Sequence, residues 1–286
     1  MPKLIVNGDD FGFSEGTNAG IMKAHHEGIL TSTSVMINLD YAASGLEQLQ
    51  QDAPSIGIGL HINLTHGKPV APASHVSSLI DEAGFFHPIE NILQVSGGYD
   101  SDELYEEIAA QIERFIALTG KKPTHLDSHY HIAFLHPLAL EATLALAAEH
   151  GRLPLRESAF QNSTDKLIKD MQHFFPGIPD TYIQELIPTL QEVAANGPDY
   201  AMPARFETGF SGENITLGDL LVILADLPEE RPTELLCHPG TGNDLLNPKA
   251  TARQRELDAL THPTARELID RYDISLISYA DLANAK

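Results

Sequence analysis

The sequence predicts an α/β fold, a distorted (β/α) barrel of seven or eight parallel strands with its active site at the strand C-terminal face. Three observations predict it. Short aliphatic and β-branched runs alternate with stretches of helical period from one end of the chain to the other. No Gly-rich phosphate fingerprint follows the first strand, which favours a barrel over an open dinucleotide-binding sheet. The 286 residues, 42% of them hydrophobic, suit one large core. A single domain over 1–286 with a lid-like insertion around 64–100 is the expected organisation.

The elements follow in order. LIVN (Leu4 to Asn7) reads as a short buried strand. Ser14 fits a helix N-cap, and the helical pattern that follows runs to His26 and stops at Gly28. TSTSVMIN (Thr31 to Asn38) is β-branched and strand-like, and a helix is expected over about Tyr41 to Gln51. IGIGLHIN (56–63) reads as a strand whose alternating glycines imply close backbone packing. From Leu64 to Asp100 the pattern dissolves into Gly, Pro and Ser, and a loop of that length is usually a functional lid or an insertion with small elements of its own. SDELYEEIAAQIERFIALTG, from Ser101 to Gly120, is an amphipathic helix closed by its glycine. PTHLDSH (123–129) reads as a strand, PLALEATLALAAEHG as a helix ended by Gly151, and PLRES (154–158) as a further strand. The stretch from Ala159 to Pro203 reads as helices and loops. ARFE (204–207) and TELLCH (233–238) are strands, Leu217 to Leu227 is helical, Thr251 to Tyr272 is helical with a break at Pro263, and ISLISY (274–279) is the last strand.

Charge and cysteine use narrow the function classes. With 18 Lys and Arg against 40 Asp and Glu, the formal charge is -22, so a nucleic-acid partner, which needs cations facing its phosphates, is not expected. The lone cysteine, Cys237, excludes an intramolecular disulfide framework and any Cys-based zinc site. No signal-peptide pattern opens the chain, and no apolar run is long enough for a membrane span. A cytoplasmic protein with no membrane partner is the expectation, and a homodimer is compatible with it. Of 14 histidines, eight fall in two sections: His61, His66, His75 and His87, then His125, His129, His131 and His136.

The polar residues share one address. In GDDFGF, Asp9 and Asp10 end the first strand, and no Lys or Arg follows within ten residues. His61 lies near the end of the third strand, His125, Asp127 and His129 at the end of the fourth, Arg156 at the end of the fifth and His238 at the end of a late one. In a parallel barrel these ends meet on one face. A carboxylate with two neutral imidazoles makes a metal site with positions open to water and substrate. One aspartate of the pair can then be a ligand while the other stays free as a general base, since adjacent residues of a pleated strand point in different directions. Taken singly each feature has a plainer reading: a turn signal for the Asp pair, a core histidine for His61, a solvated loop for HLDSHYH, a Pro-Gly turn for CHPG. Their convergence on strand ends favours chemistry.

The motifs IVNGDDFGFSEGTNAGI, GLHINLTHGKP, THLDSHYHI with its following His-Pro, and LLCHPG resemble those of the YdjC-like carbohydrate deacetylases, which include chitooligosaccharide deacetylases. The resemblance runs from residue 4 to about 280. It implies that Asp10, His61 and His125 bind one divalent metal ion, with Asp9 as catalytic base and His238 as general acid. Arg156 matches a family arginine that orients Asp9 or contacts substrate, and Asp127, His129 and Phe11 are substrate-contact or ligand-supporting candidates. Gly8 departs from a frequent family alanine, a conservative change. Two imidazoles suit zinc, whereas family members are often described with magnesium. The implied activity is removal of N-acetyl groups from N-acetylglucosamine-containing oligosaccharides, with such an oligosaccharide as the partner. Phe13, Tyr130, Phe134, Phe85 and Phe86 are aromatic candidates for sugar stacking in a chain without Trp. Alternatives from other classes are a metal-dependent phosphoester hydrolase, a non-catalytic sugar-binding protein, and a non-haem iron oxygenase. The few basic residues near the strand ends count against the first, the presence of Asp9 and His238 against the second, and the second aspartate against the third.

Overall fold

The computed structural model describes residues 1–89, 98–156, 168, 172, 179–229 and 231–284. Strands among them are β1 (Lys3–Phe11), β2 (Ser32–Val35), β3 (Gly57–Ile62), β4 (Leu126–Ser128), β5 (Arg205–Glu207), β6 (Thr233–Cys237) and β7 (Ser275–Leu276). The helices are α1 (Glu15–Glu27), α2 (Asp40–Asp52), α3 (Ser101–Thr119), the short α4 (Ile132–Leu135), α5 (Pro137–Glu149) and α6 (Asp180–Asn196). They continue with α7 (Leu217–Ala225), α8 (Ala250–Leu260), α9 (Pro263–Arg271) and α10 (Tyr279–Asn284). The α/β class with parallel strands is met. Contacts group the chain into two compact units, one of Met1–His61 with Met202–Lys286 and the other of Ile62–Ala201.

In the first unit β1 is central, paired in parallel with β2 on one side and β6 on the other, with β3 beyond β2 and β5 beyond β6. The two-residue β7 pairs with the start of β1. Every residue of β1 from Leu4 to Phe11 is buried, as a parallel strand flanked on both edges and covered on its faces requires. The strand outruns its expected end at Asn7. Gly8 pairs with Thr33 and Phe11 with Val35, so three steps on β1 match two on β2, a bulge. Asp10 carries the extra residue's geometry at φ 68, a left-handed conformation that aspartate tolerates better than most residues. A Gly-Asp-Asp run that looks like a turn is a strand end re-aimed by a bulge.

The helix signals of this unit hold. The Ser14 side chain accepts from the Thr17 amide to cap α1, and Thr216 with Asp219 forms a capping box on α7. The expected last strand keeps two residues; from Tyr279 the chain turns helical, and the buried Tyr279 hydroxyl donates to Glu234 of β6.

In the second unit α3 starts at its Asp100 cap, which accepts from the amides of Asp102 and Glu103, and ends at Gly120 with φ 69. It packs on α5, which packs in turn on α6. The fourth strand shrinks to Leu126–Ser128, and the described part of the expected fifth, residues 154–156, forms a parallel bridge from Leu155 to Leu126; Glu157 and Ser158 lie outside the described residues, as do most of residues 159–178. Residues 64–89 hold two short 3-10 turns, Ala73–His75 and Ser77–Leu79, and an antiparallel bridge between Ile80 and Phe86. Acidic residues of α3 fasten this segment: Glu107 accepts from the Val70 and Ala71 amides at 3.0 and 2.9 Å, Glu103 accepts from the Ser78 amide, and Glu106 pairs with His75. Residues 90–97 of the expected lid lie outside the described residues. No single described helix is long and apolar enough to cross a membrane.

Candidate active site

In the first unit parallel pairing brings the C-terminal ends of β1, β2, β3 and β6 to one edge, and the expected residues sit there. Both aspartates face one imidazole. Asp9 Oδ2 lies 3.9 Å from His61 Nδ1, and Asp10 Oδ1 lies 3.3 Å from His61 Nε2. All three residues are buried, at 2% exposure each. The simple pleat would send Asp9 and Asp10 to opposite faces; the left-handed Asp10 at the bulge brings both carboxylates to His61.

The sequence reading missed the residues that fix this geometry. Asn7, two positions before Asp9 and so on the same face of β1, donates from its amide to Asp9 Oδ1 at 2.7 Å and to Ser34 Oγ at 3.3 Å. Ser34 of β2 is in turn 3.2 Å from His61 Nδ1. With Nδ1 engaged by Ser34, the Nε2 edge is the one presented to Asp10, the second-partner arrangement that metal-bound histidines use. Arg253 of α8 donates to Asp10 Oδ2 at 2.5 Å, and its guanidinium carbon stands 5.7 Å from the centre of the Phe13 ring. A fully buried Asn and Ser at alternate positions of strands were the available signal. Arg253 lies in a stretch whose sequence shows only helical period, and it belongs to no motif that would single it out.

His238 follows β6. Its backbone amide donates to Glu256 of α8 at 2.5 Å, and its Nδ1 is 3.4 Å from Ser211 Oγ. Burial pushes its imidazole down to about 4; Asp10 and Asp9 pull it up, and Arg253 and His61 push it down. These four charges place His238 in the same electrostatic neighbourhood as the aspartate pair, and its ring is uncharged at neutral pH. Glu256 is pushed up to about 7 by burial, against the hydrogen bond from the His238 amide and the charge of Arg253.

The second unit gathers the other expected residues. His125 stands immediately before β4 and not at its C-terminal end as expected, because the strand begins only at Leu126; its Nε2 lies 3.6 Å from Oδ2 of Asp127, and Arg156 Nη2 holds the same Asp127 oxygen at 2.9 Å. All three are completely buried. Thr124 Oγ1 is 3.1 Å from His125 Nδ1. At the last residue of β4, Ser128 Oγ donates to the Ile62 carbonyl and accepts from the Ala133 amide, pinning a turn in which Tyr130 and His131 are both left-handed, at φ 52 and 56. His129 is half-buried with its ring centre 4.4 Å from that of Tyr130. Several aromatic candidates are core residues: Phe11, Phe86 and Phe134 are buried, while Phe85 is exposed beneath the Lys68 ammonium, 5.0 Å from its ring centre.

The donor set at His61 fits a divalent cation: a carboxylate oxygen and an imidazole nitrogen converge, each oriented by a further partner, with a second carboxylate adjacent. The chain matches the family described as YdjC-like protein over residues 3–271. It is 33% identical over 286 residues to a carbohydrate deacetylase of Brevibacillus brevis, covering 98% of this chain and 99% of that one. To a chitooligosaccharide deacetylase of Serratia marcescens it is 32% identical over 283 residues, covering 98% of each. A crystal structure from Enterococcus faecalis V583, described there as a candidate cellobiose-phosphate cleavage protein, superposes with a TM-score of 0.78 at 29% identity over 99% of both chains. With a family match over nearly its whole length and relatives above 30% identity, the chain belongs to the YdjC-like protein family.

Proposed function

We propose that this protein is a metal-dependent carbohydrate N-deacetylase that removes N-acetyl groups from N-acetylglucosamine-containing oligosaccharides, diacetylchitobiose among them. The observation that carries it is the single imidazole of His61 set between Asp9 and Asp10 in a chain 32% identical to a chitooligosaccharide deacetylase. Asp10 and His61 would hold the cation, zinc or magnesium, and the family resemblance adds His125 as third ligand. A divalent cation there supplies Lewis acidity, lowering the pKa of water and stabilising charge on the carbonyl oxygen.

The chain's own residues do the rest. Asp9, oriented by the Asn7 amide, accepts the proton of the attacking water as general base. His238 delivers a proton to the departing amine, without which an amine is too basic to leave. Its imidazole starts uncharged, and negative charge raises its proton affinity: Asp10 and Asp9 already act in that direction, and an oxyanion developing on the substrate adds to them. The proton that Asp9 takes from water passes to His238 as the oxyanion develops, and His238 hands it to the amine nitrogen as the C–N bond breaks, so both side chains end as they began and acetate and a glucosamine unit leave. Arg156, holding Asp127, together with Asp127 and His129 serves substrate or ligand orientation, and the segment at 64–100 covers the sugar.

Acetate release from diacetylchitobiose, measured after metal removal and after add-back of Zn2+ or Mg2+, tests the reading. Release that stops on stripping and returns with the ion is expected. Undiminished release from stripped protein would remove the metal, and no release under any condition, with cleavage of a phosphoester substrate instead, would transfer the chain to that class.

A further inference from the structure

One helix reaches both ends of the first unit's polar cluster. Arg253 and Glu256 are three residues apart on α8 and therefore share a face. Arg253 ends at Asp10, and Glu256 ends at the backbone amide of His238. Both are buried, at 7% and 2% exposure. The turn after β6 is gripped at two more points: Gly240 N–H donates to the Arg253 carbonyl at 3.2 Å and Gly242 N–H to Gln254 Oε1 at 2.8 Å. A Cβ at Gly240 would sit 3.1 Å from Arg253 Cβ, and one at Gly20 would sit 2.4 Å from Gly240 Cα. The glycine of the CHPG motif thus lets this turn lie pressed between α1 and α8, and that close approach brings the arginine to Asp10.

Neither contact is what a merely supportive helix would make. A solvated arginine costs nothing, whereas burying this one leaves its Nε and Nη1 without hydrogen-bond partners among the described residues, a penalty of about 1–3 kcal/mol for each buried unsatisfied group. Among the described residues its guanidinium has two partners, the Phe13 ring and Asp10 Oδ2, and the second contact holds that oxygen while Oδ1 stays on the side of His61 Nε2. That grip also fixes a left-handed residue whose side chain would otherwise have rotational choice. Glu256 likewise fastens the residue that carries the imidazole and leaves the ring itself in place beside Ser211.

We propose that α8 positions the two halves of the machinery separately: Arg253 sets the Asp10 carboxylate for the cation, and Glu256 sets His238 for proton delivery. The proposal rests on the deacetylase reading. Partners of metal ligands are commonly worth about 10–100-fold in metal affinity, so Arg253→Met should weaken Zn2+ binding to metal-stripped protein by that factor in calorimetry. Arg253→Lys, which keeps the charge but offers one donor in place of a fork, should recover part of it. Glu256→Ala should lower kcat about 10-fold with KM and Zn2+ affinity unchanged, and Glu256→Gln, whose amide oxygen still accepts from the His238 amide, should recover most of it.

The split between the two readouts is the test. Equal losses of Zn2+ affinity and kcat in Arg253→Met and Glu256→Ala would reduce α8 to a structural support and overturn the proposal, as would parent-like Zn2+ affinity in Arg253→Met. If Arg253→Met does not fold, Arg253→Lys decides: several-fold weaker Zn2+ binding with unaltered KM supports the assignment, and parent affinity refutes it. A parent protein that neither binds Zn2+ nor releases acetate would instead bring down the deacetylase reading, and the proposal with it.

Discussion

Two buried carboxylates, Asp10 of β1 and Glu107 of α3, solve the same physical problem in opposite ways. Asp10 is answered by charge: the Arg253 guanidinium on one oxygen and an imidazole edge near the other. Glu107, completely buried in the second unit, is answered by neutral donors, the amides of Val70 and Ala71 and the side chain of Gln111. Burial pushes Glu107 up to about 7, with those three bonds and Arg114 pulling it back. Burial therefore does not mark a functional carboxylate. Partner chemistry does: Glu107 fastens a segment of chain, whereas Asp10 and Asp9 surround a group that can bind a cation or carry a proton.

The comparison is broken most directly at Asp9. Asp9→Asn keeps size and the possibility of a hydrogen bond with Asn7 but removes the proton acceptor, so kcat should fall about 10²–10⁴-fold with metal content retained. Asp10→Asn should act at the other step, weakening metal affinity because an amide oxygen is a poorer ligand than a carboxylate. Metal analysis beside steady-state kinetics separates the two, and parent-like turnover in Asp9→Asn would refute the base. His61→Ala and His125→Ala should each lose bound metal together with activity. Full metal occupancy by elemental analysis in either variant would end that ligand's assignment.

Sequence reading reached one side of the comparison and not the other, for physical reasons. GDDFGF, GLHIN, HLDSH and CHPG are short motifs dense in groups able to bind metal or move protons, so Asp9, Asp10, His61, His125, Asp127 and His238 stand out as candidates from the sequence alone. So were α1, α3 and α5, whose caps and periodicity are local. The bulge at Asp10 was not, because three residues with turn propensity look alike whether the chain turns or a paired strand is re-aimed. Arg253 and Glu256 sit in ATARQRELDAL, a charge-rich helical stretch with no motif in it, yet both are buried. Glu107 hides in the same way in ELYEEIAAQ. A charge on a helix shows its burial only once its neighbours are in place.

Glu107 offers a smaller but distinct effect, with a definite sign. Its folded pKa, about 7, lies above the ordinary 4.5. Below 4.5 the carboxyl is protonated in both states; between there and about 7 the unfolded chain releases its proton while the folded one keeps it. The folded state then binds more protons, so this group's contribution to stability is lost as pH rises through that window. Glu107→Gln resembles the protonated acid at every pH and should lack the loss. Denaturant unfolding of parent and variant from pH 4.5 to 8 should show the parent declining relative to Glu107→Gln by on the order of 2 kcal/mol, with kcat unchanged at neutral pH. Parallel pH curves would show the group to be ionised throughout and satisfied by its amides.

The smallest expected effect lies in the segment that Glu107 fastens, at the neighbouring Phe85 and Phe86. Phe86 is 3% exposed and its amide donates to the Gly67 carbonyl, so it belongs to the packing of the segment. Phe85 is 45% exposed, with the Lys68 ammonium over its ring. An exposed cation–π contact is worth about 0.5–1 kcal/mol, too little to explain leaving an aromatic ring in water on grounds of stability. If the segment covers the sugar, Phe85 supplies an apolar face to it, and Phe85→Ala should raise KM for diacetylchitobiose by a few-fold, about 1 kcal/mol of ring contact. Neither kcat nor the melting temperature should move appreciably, since no packed surface is lost. A longer chitooligosaccharide should feel the change more if the ring sits beyond the cleaved unit, and equally if it sits over that unit. Unaltered KM on both substrates would leave Phe85 a solvent-facing residue and strip the segment of its covering role, while the fastening by Glu107 would stand.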